Sequence, residues 1–266
     1  MKKAYLLASA ALAAIALLGV SAFAEEPQGN EVSADTYGIY SMEGDAVDSA
    51  IRCHLVYDLD QEKIVSVDFD EALLPFSMGG AAGWALLGEE EASALGEAAL
   101  TVKSGSYAPA FQLGDLLWTG KLKDDTVVYE TEMDGETTDF LTYVGTQEGG
   151  AWYYDTYEAG ATLLDGEGNE VGQVEIGTKE SIGHGVDFWM SPITFPGNID
   201  LIEEFLVANG TDFDYAPNEA IAKNDEGVWT VADAVTGATL AGTPNYLNLA
   251  KLAVEEIQAG EYTTAE

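Results

Sequence analysis

The sequence predicts an α+β fold of antiparallel β-hairpins packed with a few helices, and three observations carry that reading. Short, alternating, β-branched segments recur in pairs around turn residues. Two apolar-rich stretches between them read as helices. An amphipathic helix with its own start signal lies close to the C-terminus.

Taken in order, residues 51–59 and 63–69 alternate and are β-branched, and Asp60-Gln61-Glu62 between them predicts a hairpin turn. Residues 83–100 are rich in alanine, leucine and glutamate and predict a helix. Two further hairpins are expected: residues 126–132 with 139–144 around Asp134-Gly135, and 161–164 with 171–176 around the loop 165–169. Residues 199–208 predict a second helix ending at Asn209-Gly210. Residues 228–231 read as a short strand and 233–242 as a loop. The last helix follows, with Thr243 as N-cap, Pro244 in the first turn, and Tyr246, Leu249, Ala250, Ala253 and Ile257 as its apolar stripe. There is no tandem repeat of fixed period.

The N-terminus carries an address. Lys2 and Lys3 precede an apolar run from Ala4 to Val20, and Ala22-Phe23-Ala24 is a small-x-small site followed by Glu25 and Glu26. That order is a secretory signal peptide over residues 1–24, with the mature chain expected to begin at Glu25 and to work in the periplasm or outside the cell, without a membrane anchor. A retained transmembrane anchor is the competing reading, but the run falls short of the roughly 20 residues a span needs. Cys53 follows Ala50-Ile51-Arg52, so it has no lipobox before it.

Composition excludes several functions. Cleavage after Ala24 removes two lysines and no acids, leaving 8 basic against 47 acidic residues, a formal charge of −39. Such a chain repels nucleic acid and attracts basic partners within a screening length of about 8–10 Å. A solvated acidic surface is the simpler role for the same charge. A single cysteine cannot form an intramolecular disulfide, and Cys53-His54 lacks the first cysteine of the haem-attachment motif C-x-x-C-H. With 47% hydrophobic and 10% aromatic residues, the chain can bury a substantial core.

The strongest short motif is Asp233-Ala234-Val235-Thr236-Gly237-Ala238-Thr239, seven of 266 residues. The pattern D-x-x-[ST]-G-A-T arises by chance in on the order of one chain in a thousand of this length. It resembles the flavinylation motif of the FMN-binding domain family, found in the flavin-carrying subunits of the sodium-translocating NADH:quinone reductase, in Rnf complexes and in exported electron carriers. In that family the last threonine of the motif bears FMN through a phosphoester, and Thr239 is the matching position. The resemblance implies that Asp233 is a recognition or positioning residue and Thr236 a local hydrogen-bonding residue. Gly237 and Ala238 would be steric permits for the modifying enzyme. A looser likeness over residues 179–185, after the hairpin at 161–176, extends the resemblance to about residues 160–260.

The expected organisation is thus a signal peptide (1–24), a β-rich region (25–159) and an FMN-binding-like region (160–266), the last two separate or one continuous domain. The implied function is an exported flavoprotein electron carrier with covalent FMN on Thr239, more a carrier than a stand-alone enzyme. Its partners would be an exported FAD-dependent flavin transferase and redox donor and acceptor proteins. A strand-to-helix connection also offers a phosphate the amides of a helix N-terminus. Phe188, Trp189 and Trp229 are available to a flavin ring, although each reads more simply as core. The alternative is an acidic, non-catalytic surface or binding protein with the same fold and no flavin, in which Asp233 and Thr236 make only a hydrogen-bonded turn.

Other constellations are weak. Asp165, Glu167 and Asn169 imitate the start of an EF-hand loop, but Glu170 and Ile176 stand where glycine and the bidentate glutamate are required, so a hairpin turn is expected. His54 and His184 have no metal-ligand spacing. Asn209-Gly210-Thr211 fits a glycosylation sequon and also a helix C-cap, and the cap is favoured. Neither a Ser-His-Asp arrangement nor a distinct carboxylate pair can be picked out among so many acids.

Overall fold

The computed structural model describes residues 30–42, 46–75, 83–124, 126–179, 193–212, 221–231 and 234–264. The expected signal peptide, Asp233, His184, Phe188 and Trp189 lie outside them. In chain order the first elements are β1 (Glu31–Met42), β2 (Ala46–Asp58), β3 (Lys63–Leu73), α1 (Glu89–Leu95), β4 (Leu100–Val102), β5 (Gly105–Tyr107), β6 (Ala110–Leu113), β7 (Leu116–Lys123) and β8 (Thr126–Met133). There follow β9 (Glu136–Asp139), α2 (Phe140–Val144), α3 (Gln147–Thr156), β10 (Ala161–Leu164), β11 (Glu170–Val174) and α4 (Phe195–Asn209). The remaining elements are β12 (Ile221–Lys223), β13 (Trp229–Val231), β14 (Ala234–Val235), α5 (Thr243–Ala259) and β15 (Thr263–Thr264). The fold is α+β, with antiparallel pairing throughout the described strands.

The first sheet has the order β15-β1-β2-β3. Its β2–β3 hairpin is the one expected at 51–69, closed by Asp58, whose Oδ1 accepts from the amides of Asp60 and Gln61 at 2.9 Å. Alternation then sorts the side chains: Ile51, Cys53 and Leu55 point to one face, where α4 and α5 cover them with Ile202, Phe205, Tyr246 and Ala250. The five stripe residues of α5 are all buried. The opposite face carries Tyr37, Arg52 and Asp70, against which α3 lays Tyr154.

The second sheet has the order β11-β10-β6-β7-β8-β9. Phe111 centres its core, with ring centroids 4.7 Å from Trp84 and Tyr129 and 5.6 Å from Phe140. Pairings cross residue 160 in both sheets: β10 pairs with β6, and β15 pairs with β1.

Three predicted elements differ. The strand expected over 139–144 stops at Asp139, which instead caps α2 by accepting from the Thr142 amide at 2.9 Å. The helix expected over 83–100 is confined to α1 and a 3-10 turn, because Trp84 and Ala85 are drawn into the core in a tight turn that the Leu86 amide closes on Gly83 O. Thr243 is the first residue of α5, not its cap; Gly242 holds the cap position, and the Thr243 hydroxyl donates to Leu240 O at 2.7 Å. The sequence reading also singles out no helix at 147–156, where α3 forms. Its two glycines disguise it, and both are needed: a Cβ at Gly149 would fall 1.9 Å from Tyr143 O and one at Gly150 2.2 Å from Tyr37 Cβ.

A buried ion pair ties the layers together. Glu71 on β3 and Lys179 are each only 4% exposed, with Nζ–Oε2 at 2.6 Å. Glu71 also accepts from Ser49 on β2 and Tyr246 on α5. The Lys179 ammonium lies 3.8 Å from the Tyr40 ring centre and 5.2 Å from that of Phe195. Removing one partner strands the other charge away from water. Lys179→Met is therefore expected to lose about 3–5 kcal/mol in urea unfolding, and Glu71→Gln in the same chain to recover part of that loss.

Candidate functional site

The motif lies between a strand and a helix as expected, although Ala234 and Val235, read as loop, pair with β13 as β14, and the path beyond them follows from hydrogen bonds the motif's own residues make. β13 supplies Trp229, whose amide donates to Ala238 O at 2.8 Å and whose carbonyl accepts from both the Thr236 amide (3.0 Å) and hydroxyl (2.7 Å). The Thr236 Oγ1 in turn accepts from the Ala238 amide at 3.1 Å. This doubled turn is what a threonine side chain can do and valine cannot. Gly237 has φ +81°, a region side chains rarely enter, and a Cβ there would stand 3.2 Å from Leu201 Cδ2. Ala238 is fully buried. The small size of both residues thus serves the folding of the loop itself.

Thr239 follows, half-buried, and its surroundings include a residue that sequence reasoning did not identify. Asn198, in the first turns of α4, is 0% exposed and receives the loop: its Oδ1 accepts from the amides of Thr239 (2.7 Å) and Leu240 (3.1 Å) and from the Thr239 hydroxyl at 3.3 Å. Its Nδ2 donates to the carbonyls of Thr194 and Ile193, at 3.0 and 3.3 Å. The sequence signal is slight, an asparagine inside a helix, a place asparagine is disfavoured unless its side chain has partners.

The start of α5 does not offer its amides outward. The Gly242 amide donates to Tyr40 OH at 3.1 Å, Thr243 N to Leu240 O at 3.1 Å, Asn245 N to Gly242 O at 2.8 Å, and Pro244 has none. The expected amide cradle for a phosphate is therefore consumed by the protein itself. A cation stands in its place: Lys223 Nζ lies 3.3 Å from Thr239 O and 5.1 Å from the centre of the Trp229 ring. Trp229 is packed against the core, and its indole donates to Leu240 O at 2.6 Å.

The remaining candidates resolve into structural roles. Asp165 Oδ1 accepts from the amides of Glu167 and Asn169 at 2.8 Å, making the hairpin turn. Gly210 ends α4 at φ 69°, in the cap position expected of Asn209-Gly210. His54 pairs with Asp35 at 2.7 Å, a hydrogen bond that raises its pKa. Cys53 is buried, which pushes its thiol pKa far up. Among the described residues no group of His, Cys, Asp and Glu could hold a metal, and no helix is long and apolar enough to cross a membrane.

Between β3 and α4 lies a cavity of about 140 Å³ lined in part by Asp68, Asp70, Asp200 and Glu203. Burial, helped by repulsion from Asp68, Asp200 and Asp70, raises the Glu203 carboxyl to about 7, even though the Phe69 amide donates to it at 3.1 Å. Comparisons with protein-family models, curated proteins and solved structures found no match to this chain.

Two measurements test this region. A Cβ at Gly242 would fall 2.1 Å from Tyr40 Cε2, so Gly242→Ala is expected to destabilise the protein by about 1–3 kcal/mol in denaturant titration. For Glu203, the folded state binds the proton more tightly than the unfolded chain, so stability falls as pH rises from the ordinary value of 4.5 to about 7 and stays reduced above it. Glu203→Gln keeps the acceptor for Phe69 and removes the charge. Its melting midpoint should match wild type near the bottom of that window and exceed it above the top.

Proposed function

We propose that this chain is a covalent flavoprotein electron carrier: FMN joined by a phosphoester to Thr239, installed by an exported flavin transferase that uses FAD. The observation that carries the reading is the motif D-x-x-T-G-A-T, whose residues Thr236 to Ala238 form a hydrogen-bonded turn against Trp229. Thr236, Gly237 and Ala238 are spent on the turn, and Thr239 is left half-buried at its end. The residues fit an attached phosphodiester. The amides of Thr236, Ala238, Thr239 and Leu240 are paired internally, so a phosphate there leans on its covalent bond, and Lys223 beside Thr239 O provides a positive charge for it in a strongly acidic chain. When bound, FMN would accept and pass on one or two electrons, with the protein supplying attachment and position.

Thr239 would be the attachment residue, Thr236, Gly237 and Ala238 the shape of the loop, and Asp233 a positioning residue for the transferase. Export would place the carrier in the periplasm or outside the cell, where a dissociable flavin would be lost by diffusion. Docking to donor and acceptor proteins would be transient, and the acidic surface favours basic partners. The rival, a flavin-free acidic binding protein, draws on the same hydrogen bonds, because the Thr236 turn is sufficient by itself to lead the chain into α5.

The two readings separate on one residue. The wild-type chain, coexpressed with an active flavin transferase, should gain the mass of FMN less water, mapped to Thr239, and give an ultraviolet-fluorescent band after denaturation. Thr239→Val should fold and show neither. Thr236→Val, which loses hydrogen bonds worth about 1 kcal/mol, should slow modification without abolishing it. A wild-type chain that never acquires the mass, or a Thr239→Val chain that retains it, would leave the flavin-free reading standing.

A further inference from the structure

The Asn198 side chain does more than fasten a loop, and hydrogen-bond bookkeeping decides its orientation. Two of its neighbours, the amides of Thr239 and Leu240, can only donate, so the atom they meet must be the carbonyl oxygen Oδ1. On the other side the carbonyls of Thr194 and Ile193 can only accept, which places Nδ2 there. With both ends assigned, the third contact has one polarity: Oδ1 cannot donate, so the Thr239 hydroxyl donates its proton to Asn198, at 3.3 Å. The residue is fully buried on α4, 41 residues away in sequence, so this geometry belongs to the fold and not to the motif.

We infer that Asn198 is the positioning residue for modification of Thr239: it holds the hydroxyl proton inward and so turns the oxygen lone pairs away from the helix, the orientation an electrophilic phosphorus requires. The inference rests on the flavin-carrier reading above. In the step it serves, Thr239 Oγ1 attacks the FMN phosphorus of FAD. The Oγ1–P bond forms, the bond from that phosphorus to the adenylate oxygen breaks, AMP leaves with the electron pair, and the hydroxyl proton is released to solvent. No oxidant or reductant is involved. Asn198 does not remove the proton, because an amide oxygen is too weak a base. It lowers the cost of orientation, the kind of contribution that appears in kcat.

The test uses the full chain with FAD, magnesium and a purified exported flavin transferase, following covalent mass gain at saturating and limiting FAD. Each variant is assayed at a temperature at which circular dichroism shows it folded. Asn198→Leu should lower kcat about tenfold or more with KM for FAD unchanged. A second measurement needs no variant. Once Thr239 is esterified it has no hydroxyl proton to donate, so the Asn198 side-chain carbonyl ¹³C resonance should move on flavinylation of the wild type. If Asn198→Leu does not fold, that resonance decides alone. A wild type that takes up FMN while Asn198→Leu keeps its kcat, or while the Asn198 resonance stays in place, overturns this inference and leaves the carrier reading intact. A wild type that takes up no FMN overturns both.

Discussion

The buried pair of Glu71 and Lys179 is the constraint on which the arrangement of layers depends. Both charges are almost wholly buried, so each finds most of its compensation inside the protein, and the compensating groups come from distant parts of the chain. Ser49 comes from β2, Tyr246 from α5, and the ring faces that flank the ammonium from β1 and α4. The segment carrying Lys179 is stitched to β3 by the Thr178 bridge to Ala72 and by the bond from Lys179 N to Glu71 O. Desolvation of two ions is tolerable only when all of these are in place, which makes the pair a device for specifying one packing of helices on the first sheet.

That packing reaches the candidate site through Tyr40. Its ring lies under the Lys179 ammonium and its hydroxyl receives the Gly242 amide, so the start of α5 is held against β1 where no side chain larger than hydrogen would fit at position 242. From the other side α4 presents Asn198 to the loop. The loop is thus clamped between two helices already fixed on one sheet. Its amides at Thr236, Ala238, Thr239, Leu240 and Gly242 are spent on protein acceptors, and Lys223 brings a positive charge to Thr239. The course of the loop is thus set by contacts within the protein.

Much of the architecture was legible in the sequence. The hairpins at 51–69 and 161–174 announced themselves because Asp58 and Asp165 make turns with their own near neighbours. The stripe of α5 was readable because burial on a helix repeats every three to four residues. Less was readable where a distant contact overrode a local preference. Residues 140–144 look like the continuation of a strand until the carboxylate of Asp139, the last residue of β9, is seen capping α2. The glycines of α3 argue against a helix, yet Tyr143 and Tyr37 approach so closely that only glycine fits. Residues 84 and 85 have helical composition but are taken up in a tight turn because Trp84 fills a place beside Phe111 and bonds Leu73 O.

The same division runs through the candidate site. The sequence by itself determined the α+β class and the placing of the motif between a strand and a helix, because each depends on residues a few positions apart whose side chains and φ preferences act locally. Only the tertiary structure decided that Ala238 faces the core, that the first amides of α5 are consumed internally, and that Asn198 receives the Thr239 hydroxyl. Those facts depend on where α4 and Tyr40 come to rest. A contact across 41 residues leaves no periodicity in the chain; it exists only once burial of the apolar faces and the Glu71–Lys179 pair has set the two helices side by side.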